Sequence, residues 1–339
     1  MNNIKTYFEK GSDDLKSIGI WNQSISNDLS KLEFHINLWN LKGKDKKISP
    51  FIDFGIGIKD YKAINELVIL FPFSFEEQEL FDLYNYMKEP SVARLIFNEM
   101  ECEVSSHDKY MVIESNNFEK PKLLINVKNQ NYLANDITLE QNIPLEMTKL
   151  GIRFDEIKRD GKFAQFEDLY IRFRVKSPNI KKILFCQVAK KNWFLESGFI
   201  ENQIVDIKIN KERNLPHDIC RKMRLNNFEF AKFDKIHLLV MSDSSNDIGT
   251  FGNILYDCRK LEEHEWDTYL ENDYDTTNVF AYHWKEKYDG DEMIADFNKL
   301  IRISSATTNI RVIFVYMLVV IILGAAGSGL LELIKALII

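Results

Sequence analysis

Residues 169–176 of the chain read LYIRFRVK. Apolar and polar side chains alternate along this stretch, and such alternation is typical of a β-strand that presents two different faces. The apolar face would pack into a core. The other face would carry an aromatic ring beside three cations, namely Tyr170, Arg172, Arg174 and Lys176. Residues 32–39 (LEFHINLW) alternate in the same way, so the sequence predicts a fold that is built from strands.

The rest of the soluble region shows the same preference for strands. We predict further strands at residues 51–58, 67–73, 109–114, 122–127, 152–157, 183–188, 204–209 and 236–241. Three helices are predicted before the C-terminal segment: residues 74–89, which begin with a capping box of Ser74 and Glu77, residues 261–270 and residues 292–304. Because strands and helices do not alternate regularly, we expect an α+β, β-rich fold whose sheets are mostly antiparallel.

The C-terminal segment has the composition of a membrane-spanning helix. Residues 312–331 contain no Asp, Glu, Lys, Arg or His, and a helix of this length crosses a hydrocarbon core of about 30 Å. We therefore predict an N-terminal β-rich subdomain with a capped helix (residues 1–130), a second β-rich subdomain (131–300) and one transmembrane helix (301–339). The boundary between the subdomains is placed in a stretch rich in Asn and Asp at residues 129–142.

The charges around the span predict its orientation. Lys299, Arg302 and Arg311 lie just before the uncharged residues, whereas only Lys335 lies after them. By the positive-inside rule, the large N-terminal region would be cytosolic and held by a single pass in the inner (cytoplasmic) membrane. The first residues lack an apolar run, so we expect no secretory signal. Four cysteines without a C-x-x-C pair fit reduced thiols in the cytosol.

Charge is distributed unevenly along the soluble region. Residues 259–299 hold 12 acidic and 5 basic residues, so this segment alone accounts for the net charge of −7. An acidic segment directly before a span could concentrate cations at a pore, could be a solvated face, or could dock onto the basic stretch of a neighbouring subunit. All three interpretations fit the sequence.

Basic residues form the clearest ligand signal. Guanidinium groups bind phosphate oxygens in a bidentate manner, and an aromatic ring offers a stacking surface for a base. We therefore predict that a nucleotide or a single-stranded oligonucleotide, such as DNA, binds this region. The candidate ligand-binding residues are Tyr170, Arg172, Arg174, Lys176, Lys181, Lys182, Lys190, Lys191, Arg213, Arg221, Lys222 and Arg224. A basic interface for another subunit or for lipid headgroups, and ordinary solvated charge, are competing interpretations.

The sequence contains no catalytic signature. The six histidines show neither H-E-x-x-H nor a partner C-x-x-C, and no Walker A loop or nucleophile elbow occurs. We therefore predict no catalytic residue, no metal site and no cofactor, and we expect a protein that is not an enzyme. The SDSSND stretch at residues 242–247 is interpreted as a turn with local hydrogen bonds, and Gly55-Ile-Gly57 as a kinked strand.

Three residues share one side of the predicted span. Gly324, Ser328 and Glu332 are spaced by four residues, and small residues on a helix face allow other helices to approach closely. A homo-oligomer, for which a tetramer is plausible, would place Glu332 in a ring around a cation-selective pore. Two simpler interpretations are an anchor whose Glu332 and Lys335 reach the headgroups, and a helix that breaks at GAAGSG, residues 324–329.

This layout resembles the membrane effectors of bacterial anti-phage systems of the CBASS and Hailong type. Two features carry the resemblance. The first is a β-rich body with the strand face of Tyr170, Arg172, Arg174 and Lys176, and the second is a terminal span with Gly324, Ser328 and Glu332. It implies a homo-oligomeric ion channel or membrane-disrupting protein for antiviral defence, gated by a nucleotide signal from a nucleotidyltransferase that is encoded nearby. The alternatives are a tail-anchored protein-binding or scaffold protein without conduction, and a membrane-tethered enzyme.

Overall fold

Two β-sheets and one long apolar helix make up the part of the chain that the computed structural model describes, namely residues 16–25, 31–44, 48–99, 101–107, 110–126, 136–142, 145–187, 200–250, 257–288, 292–306 and 310–338. The strands are β1 (Ser17–Ser24), β2 (Leu32–Asn40), β3 (Phe51–Ile58), β4 (Ile64–Phe71), β5 (Leu80–Asp82), β6 (Glu103–Ser106), β7 (Met111–Glu114), β8 (Lys122–Leu124), β9 (Ile137–Asn142), β10 (Met147–Arg153), β11 (Asp168–Val175), β12 (Phe185–Gln187), β13 (Ile200–Ile209), β14 (Glu229–Phe230), β15 (Phe233–Asp243), β16 (Asn246–Thr250), β17 (Asp257–Lys260), β18 (Val279–Lys287) and β19 (Phe297–Ala306).

Most of the described strands pair in antiparallel fashion. The nine-stranded sheet has the order β16-β19-β13-β1-β4-β10-β9, with β12 on β13 and β14 on β1. The ten-stranded sheet has the order β17-β18-β15-β2-β3-β11-β8-β7-β6, with β5 on β11. Three pairs are parallel: β1 with β13, β2 with β15, and β8 with β11. The predicted β-rich, mostly antiparallel class is therefore confirmed.

Short helices connect the strands. They are α1 (Pro90–Phe97), α2 (Asp155–Arg159), α3 (Asn179–Leu184) and α4 (His217–Leu225), together with the 3₁₀-helices Tyr61–Ala63, Glu77–Glu79, Tyr84–Lys88, Gly161–Phe163 and Glu212–Asn214. After the last strand comes the long helix α5 (Ile310–Ile338).

The largest hydrophobic core contains buried side chains from both sheets. Ile20 and Ile69 come from the nine-stranded sheet, Phe54 and Phe173 from the ten-stranded sheet, and each is at most 1% exposed. Ring centroids of Phe54 lie 5.2 Å from Phe71 of the other sheet and 5.4 Å from Phe173 of the same sheet. Burial of these large aromatic side chains is a main source of stability for the fold.

The outer face of each sheet is also covered in part. On the ten-stranded sheet, Trp39, Tyr170 and Met241 pack with side chains from residues 83–97 and 261–270. On the nine-stranded sheet, Trp21 and Leu70 pack with side chains of α4. The side chains of the ten-stranded sheet that point away from the main core are therefore buried where these segments lie over them.

Several predicted strands are confirmed with close boundaries. The strands predicted at residues 32–39, 51–58 and 169–176 correspond to β2, β3 and β11. The strand predicted at residues 152–157 is wrong over most of its length, because its strand ends at Arg153 and α2 begins at Asp155. In the strand predicted at residues 183–188, Ile183 and Leu184 instead belong to the last turn of α3, and Phe185–Gln187 form β12.

The helix predicted over residues 74–89 is wrong. The chain forms two short 3₁₀-helices with β5 between them, and α1 begins only at Pro90. A capping box does occur, but it joins Glu76 and Glu79 rather than Ser74 and Glu77. The three residues of β5 pair with β11, and this tertiary pairing overrides the local helical signal.

Two other predicted helices are also wrong. Residues 261–270 form a series of turns, and His264 within them has a left-handed φ angle of 65° that is incompatible with a continuous helix. Residues 292–304 overlap strand β19, whose ten residues pair with the ten residues of β13. The second segment is a strand because it pairs with β13, which is distant in the chain, and the spacing of residues within the segment does not show this pairing.

The predicted C-terminal apolar helix is confirmed. Helix α5 is continuous over 29 residues, so the GAAGSG sequence does not break it. Residues Ile313–Leu331 are long and apolar enough to cross a membrane, and none of this stretch is buried against the rest of the protein. Among the described residues, one helix is therefore a candidate membrane span, and it follows the last strand of the two sheets.

Strands from both predicted subdomains meet in each sheet. The junction at residues 130 and 131 lies outside the described residues. In the nine-stranded sheet β1 pairs with β13, and in the ten-stranded sheet β2 pairs with β15. Backbone hydrogen bonds therefore join residues of the first 130 positions to residues beyond position 200 in both sheets.

Candidate functional site

The polar side of β11 does not face solvent. Tyr170, Arg172 and Arg174 are only 1%, 2% and 1% exposed. Tyr170 belongs to the same hydrophobic cluster as side chains from α1 and from residues 261–270, which cover this part of the sheet. The alternation along β11 assigned its two faces correctly, and the burial of Tyr170, Arg172 and Arg174 excludes solvated charge as the interpretation of these three residues.

A buried ion pair holds Arg174. Its guanidinium donates from Nε to Oδ1 of Asp53 at 2.6 Å and from Nη2 to Oδ2 at 3.0 Å. Asp53 also accepts hydrogen bonds from Trp39 Nε1 at 2.8 Å and from Tyr269 Oη at 2.7 Å. These bonds offset the cost of burying the charged pair, because the carboxylate oxygens are well satisfied.

Arg172 extends this group toward β2. Its Nε donates to Tyr269 Oη at 2.9 Å, and its Nη1 donates to Tyr170 Oη at 3.1 Å. Tyr170 Oη in turn lies 3.3 Å from His35 Nδ1. Because Tyr269 also binds Asp53, a continuous series of hydrogen bonds runs from Asp53 to His35 across the sheet.

A glycine makes room for these side chains. Gly55 of β3 lies opposite Arg172 on one side and opposite His35 on the other. A Cβ atom at Gly55 would lie closer than 3.0 Å to the Tyr170 hydroxyl and 3.1 Å from Arg172 Nη1. Because β3 pairs with both neighbours without a shift in register, the predicted kink at Gly55-Ile-Gly57 is wrong. Gly55 instead leaves a space that neighbouring side chains fill.

Three histidines and one glutamate lie next to this series. Glu33 and His35 share one face of β2, and His237 of β15 is the direct parallel partner of His35. Glu33 Oε1 lies 3.5 Å from His35 Nε2 and 3.6 Å from His237 Nε2. His237 Nδ1 lies 3.0 Å from His283 Nε2. Two imidazoles therefore present Nε2 to the same carboxylate oxygen.

Burial favours the neutral form of these histidines. Desolvation is the main cause that lowers the pKa of His237 and of His283 to about 4, although Glu33 opposes the shift at His237. Desolvation likewise lowers the pKa of His35. Burial would raise the pKa of Glu33, but the neighbouring His237 and His35 rings and the charge of Lys235 together lower it. At neutral pH a carboxylate therefore faces two neutral imidazoles.

The histidine group lies in a cleft of about 370 Å³. Strands β2, β15, β17 and β18 provide one side, and residues 95–99 and 117–120 provide another. Its cationic side chains are Lys59, Lys120, Lys122, Lys235, Arg259 and Lys285, its aromatic ones are Trp39, Phe97, Phe118 and Trp266, and its acidic ones are Glu33, Glu99, Glu119, Asp168 and Asp257. Six cationic side chains lie beside five acidic ones, so the lining of the cleft is close to balanced in charge, and four aromatic rings lie among them.

The other predicted ligand-binding residues are dispersed. Lys176 lies at the edge of the buried group, where its Nζ is 2.9 Å from Glu271 Oε2. Exposed residues on α3 are Lys181 and Lys182, and exposed residues on and before α4 are Arg213, Arg221, Lys222 and Arg224. Lys190 and Lys191 lie outside the described residues. The structure brings Tyr170, Arg172 and Arg174 together, but α4 packs on the other sheet.

Part of the acidic segment docks onto the basic strand of the same chain. Tyr269 binds both Asp53 and Arg172 through its hydroxyl, and Glu271 pairs with Lys176. The sequence alternative was docking onto a neighbouring subunit, whereas Tyr269 and Glu271 bind residues of their own chain. The basic partner is supplied by β11 of the same chain.

Gly324 and Ser328 lie on the exposed surface of α5. Ser328 Oγ donates a hydrogen bond to the carbonyl oxygen of Gly324 at 3.0 Å. Apart from the helix backbone itself, no described atom lies within 4 Å of the position that a Cβ of Gly324 would occupy. Glu332 follows one turn later in the same continuous helix, so the spacing by four is preserved. This side of the helix is free to contact another helix.

The SDSSND stretch forms a turn between β15 and β16. Ser245 N donates to Asp243 Oδ1 at 2.8 Å, and Asn246 Nδ2 donates to Ser242 Oγ at 2.9 Å. The predicted turn with local side-chain hydrogen bonds is therefore confirmed.

The sequence patterns did not identify the cleft or its histidine group. Glu33 and His35 lie two positions apart on a predicted strand, so alternation along β2 is a signal that could have paired them. No local signal could have added His237, because the parallel pairing of β2 with β15 joins positions that are far apart in the chain.

No protein-family model matches this chain, and no curated protein matches it. Among solved structures, the chain is similar to the Fcho1 Mu homology domain of Danio rerio with bound Eps15 peptide. The two share 9% sequence identity, the match covers 86% of this chain and 82% of that chain, and the TM-score is 0.16. This score is too low to support a shared fold.

Proposed function

We propose that the protein is an oligomeric membrane effector whose soluble region binds a nucleotide or a short oligonucleotide in the cleft. The observation that carries this proposal is the presence, in one chain, of a cleft lined by cations and aromatic rings and of one helix able to span a membrane. Ion conduction or membrane disruption at the inner membrane during anti-phage defence is the corresponding biological role. It agrees with the effectors that the sequence resembles in layout.

The lining of the cleft supports an anionic ligand with a planar base. Lys122 Nζ lies 5.0 Å from the centre of the Phe118 ring, so a cation and an aromatic surface occur side by side. Lys235 and Lys285 project into the same cleft from neighbouring strands β15 and β18. Phosphate oxygens would accept hydrogen bonds from these ammonium groups, while a base would stack on the ring.

The cleft is linked to the span through one short part of the chain. Strand β18 lines the cleft with His283 and Lys285, β19 follows, and α5 begins at Ile310. A ligand changes the state of the helices only if it binds one state more tightly than the other. A 100-fold preference would shift that equilibrium by about 2.7 kcal/mol.

Conduction through a single-pass protein requires several copies. Gly324 and Ser328 offer an open helix side on which copies could pack. A tetramer would bring four copies of Glu332 around one axis and would favour cations. Lipid and other copies of the chain are the expected partners, with a nucleotidyltransferase as the source of the signal.

Ion flux from liposomes that contain the purified full-length protein tests this function. Nucleotides and short single-stranded DNA are added as signals. We expect a response that is lost when Lys122→Glu and Lys285→Glu reverse two charges in the cleft. The matched control carries Lys162→Glu and Lys232→Glu, which change the net charge equally at exposed positions outside the cleft.

Two results would contradict the proposal. A control variant as impaired as the cleft variant would show that overall charge, rather than the cleft, determines the response. Wild-type protein that conducts no ions with or without any signal would remove the channel function. The tail-anchored scaffold would then be the better description.

A further inference from the structure

Glu33, His35 and His237 bring three metal-ligating atoms together, all within 4.8 Å of one another. In a tetrahedral zinc site with metal–ligand distances near 2.0–2.1 Å, neighbouring ligand atoms are about 3.3 Å apart. The distances from Glu33 Oε1 to the two Nε2 atoms, 3.5 and 3.6 Å, are close to that value.

The contacts of the two rings differ from those of ordinary hydrogen bonds. His35 Nε2 and His237 Nε2 are buried and have no hydrogen-bond partner among the described residues. Their distances to the Glu33 carboxylate exceed the usual N–H···O range of about 2.7–3.2 Å. Buried polar atoms are nearly always satisfied, and here the nearest partner of each nitrogen is the same distant carboxylate, which leaves room for a cation among the three groups.

The other nitrogen of each ring is already held. His35 Nδ1 lies 3.3 Å from Tyr170 Oη, and His237 Nδ1 lies 3.0 Å from His283 Nε2. If each Nδ1 carries the proton and donates it, each Nε2 has a lone pair directed at Glu33. Metal-ligating histidines are typically oriented in this way by a hydrogen bond from the second ring nitrogen.

We propose that Glu33 Oε1, His35 Nε2 and His237 Nε2 bind a divalent transition-metal ion, with Zn²⁺ as the expected ion. Two imidazoles and one carboxylate are a donor set that binds zinc and leaves a fourth position open. Because all three residues line the cleft, the open position faces it and accepts water or an anionic oxygen of a ligand.

Among the described residues, Lys235 is the lysine that pairs with Glu33 and would compete with a metal ion for it. Its Nζ lies 3.7 Å from the same oxygen, Oε1. The Lys235 side chain is 30% exposed, so it can turn toward solvent when a metal ion replaces it. The proposal departs from the sequence prediction of no metal site. It is independent of the proposed function, because metal binding is measured without nucleotide or membrane.

Zinc binding is measured on the full-length protein in detergent. The exposed thiols of Cys186 and Cys258 would also bind zinc, so both are first replaced by serine. After treatment with a chelator and dialysis against Zn²⁺, we expect one zinc ion per chain by elemental mass spectrometry. With Co²⁺ in place of Zn²⁺, we expect a visible spectrum of nitrogen and oxygen ligation without thiolate bands.

Glu33→Gln and His237→Gln test the ligands, and His217→Asn is the control because His217 is exposed on α4. Loss of a direct ligand should weaken binding by more than the 10- to 100-fold typical of losing an outer hydrogen-bond partner. Zinc should raise the melting temperature of the wild type and the control only. If His237→Gln fails to fold, the nearly isosteric Glu33→Gln decides.

Two outcomes would overturn the site. The first is a wild-type protein that retains no zinc after dialysis. The second is a folded Glu33→Gln or His237→Gln variant that binds zinc as tightly as the His217→Asn control.

Discussion

At the scale of single residues, Asp53 holds the buried polar group together. Its carboxylate accepts hydrogen bonds from Trp39, Arg174 and Tyr269. Asp53→Asn keeps the shape of the side chain but leaves the Arg174 charge buried without a counter-charge. We expect the free energy of unfolding to fall by about 3–5 kcal/mol, measured by chemical denaturation of the full-length protein in detergent.

Lys176→Ala is the matched control for the Asp53 substitution. It removes the ion pair with Glu271, in which both side chains are partly exposed. Such pairs contribute little, so the expected loss is below about 1 kcal/mol. Equal losses of unfolding free energy in the two variants would show that the buried pair contributes no more to stability than the partly exposed pair.

A second prediction concerns Gly55. In Gly55→Ala the new methyl group meets the Tyr170 hydroxyl and Arg172, which are buried and have little freedom to move. We expect a loss of about 1–3 kcal/mol in a thermal melt. Gly161→Ala is the control, since nothing lies within 4 Å of a Cβ at that position. A Gly55→Ala variant as stable as this control would disprove the close packing.

The sequence predicted which side chains of β11 lie together, but it did not predict their partner. Alternation placed Tyr170, Arg172 and Arg174 on one face of β11, where they lie. It could not reveal their partner Asp53, which is 121 positions from Arg174 and meets it only through the register of β3 with β11. The burial of these arginines depends on that distant contact.

At the scale of elements, the open side of α5 leads to a prediction about association. Gly324→Leu with Ser328→Leu keeps the helix apolar but prevents close approach of another helix on that side. We expect a smaller oligomer by mass measurement in detergent and unchanged recovery in the membrane fraction. Ala326→Leu adds bulk on the opposite side and serves as the control. An unchanged mass in the double variant would rule out this side as the interface.

Period-two patterns predicted elements better than helical spacing did. The strands β2, β3 and β11 each carry their own alternation or their own apolar run, so the local sequence suffices. β19 was predicted as a helix because its strand character depends on ten paired residues of β13. The turns at residues 261–270 depend on left-handed residues whose conformation the spacing does not show.

At the scale of the whole molecule, replacement of residues 310–338 by an unrelated apolar helix separates effector from scaffold. An effector should lose ion flux and toxicity in cells, because its specific helix contacts are gone, while nucleotide binding by the soluble region is kept. A scaffold should retain its function as long as it stays in the membrane. Toxicity that survives the replacement would therefore contradict the channel proposal.

Glu332 is tested separately within the complete protein. Glu332→Gln removes the charge that would form a ring in an oligomer and should reduce cation selectivity or flux in liposomes. Equal flux and selectivity in wild type and variant would exclude Glu332 from the conduction path, without excluding conduction itself.

The fold class followed from the sequence, whereas the arrangement of the sheets did not. Many strands with few helices were enough to indicate a β-rich α+β protein. The two sheets are defined by pairings such as β1 with β13 and β2 with β15, which join distant parts of the chain. The cleft is formed by the same distant pairings, so the sequence alone could not predict it either.

These pairings also mean that, during synthesis on the ribosome, some strands are made long before their partners. Strand β2 is made early, yet its parallel partner β15 begins roughly 190 residues after β2 ends. At about 5–20 residues per second, one edge of β2 stays without its partner for about 10–40 s. An unpaired strand edge is a template for aggregation, so we expect the nascent chain to be most prone to aggregation during this interval.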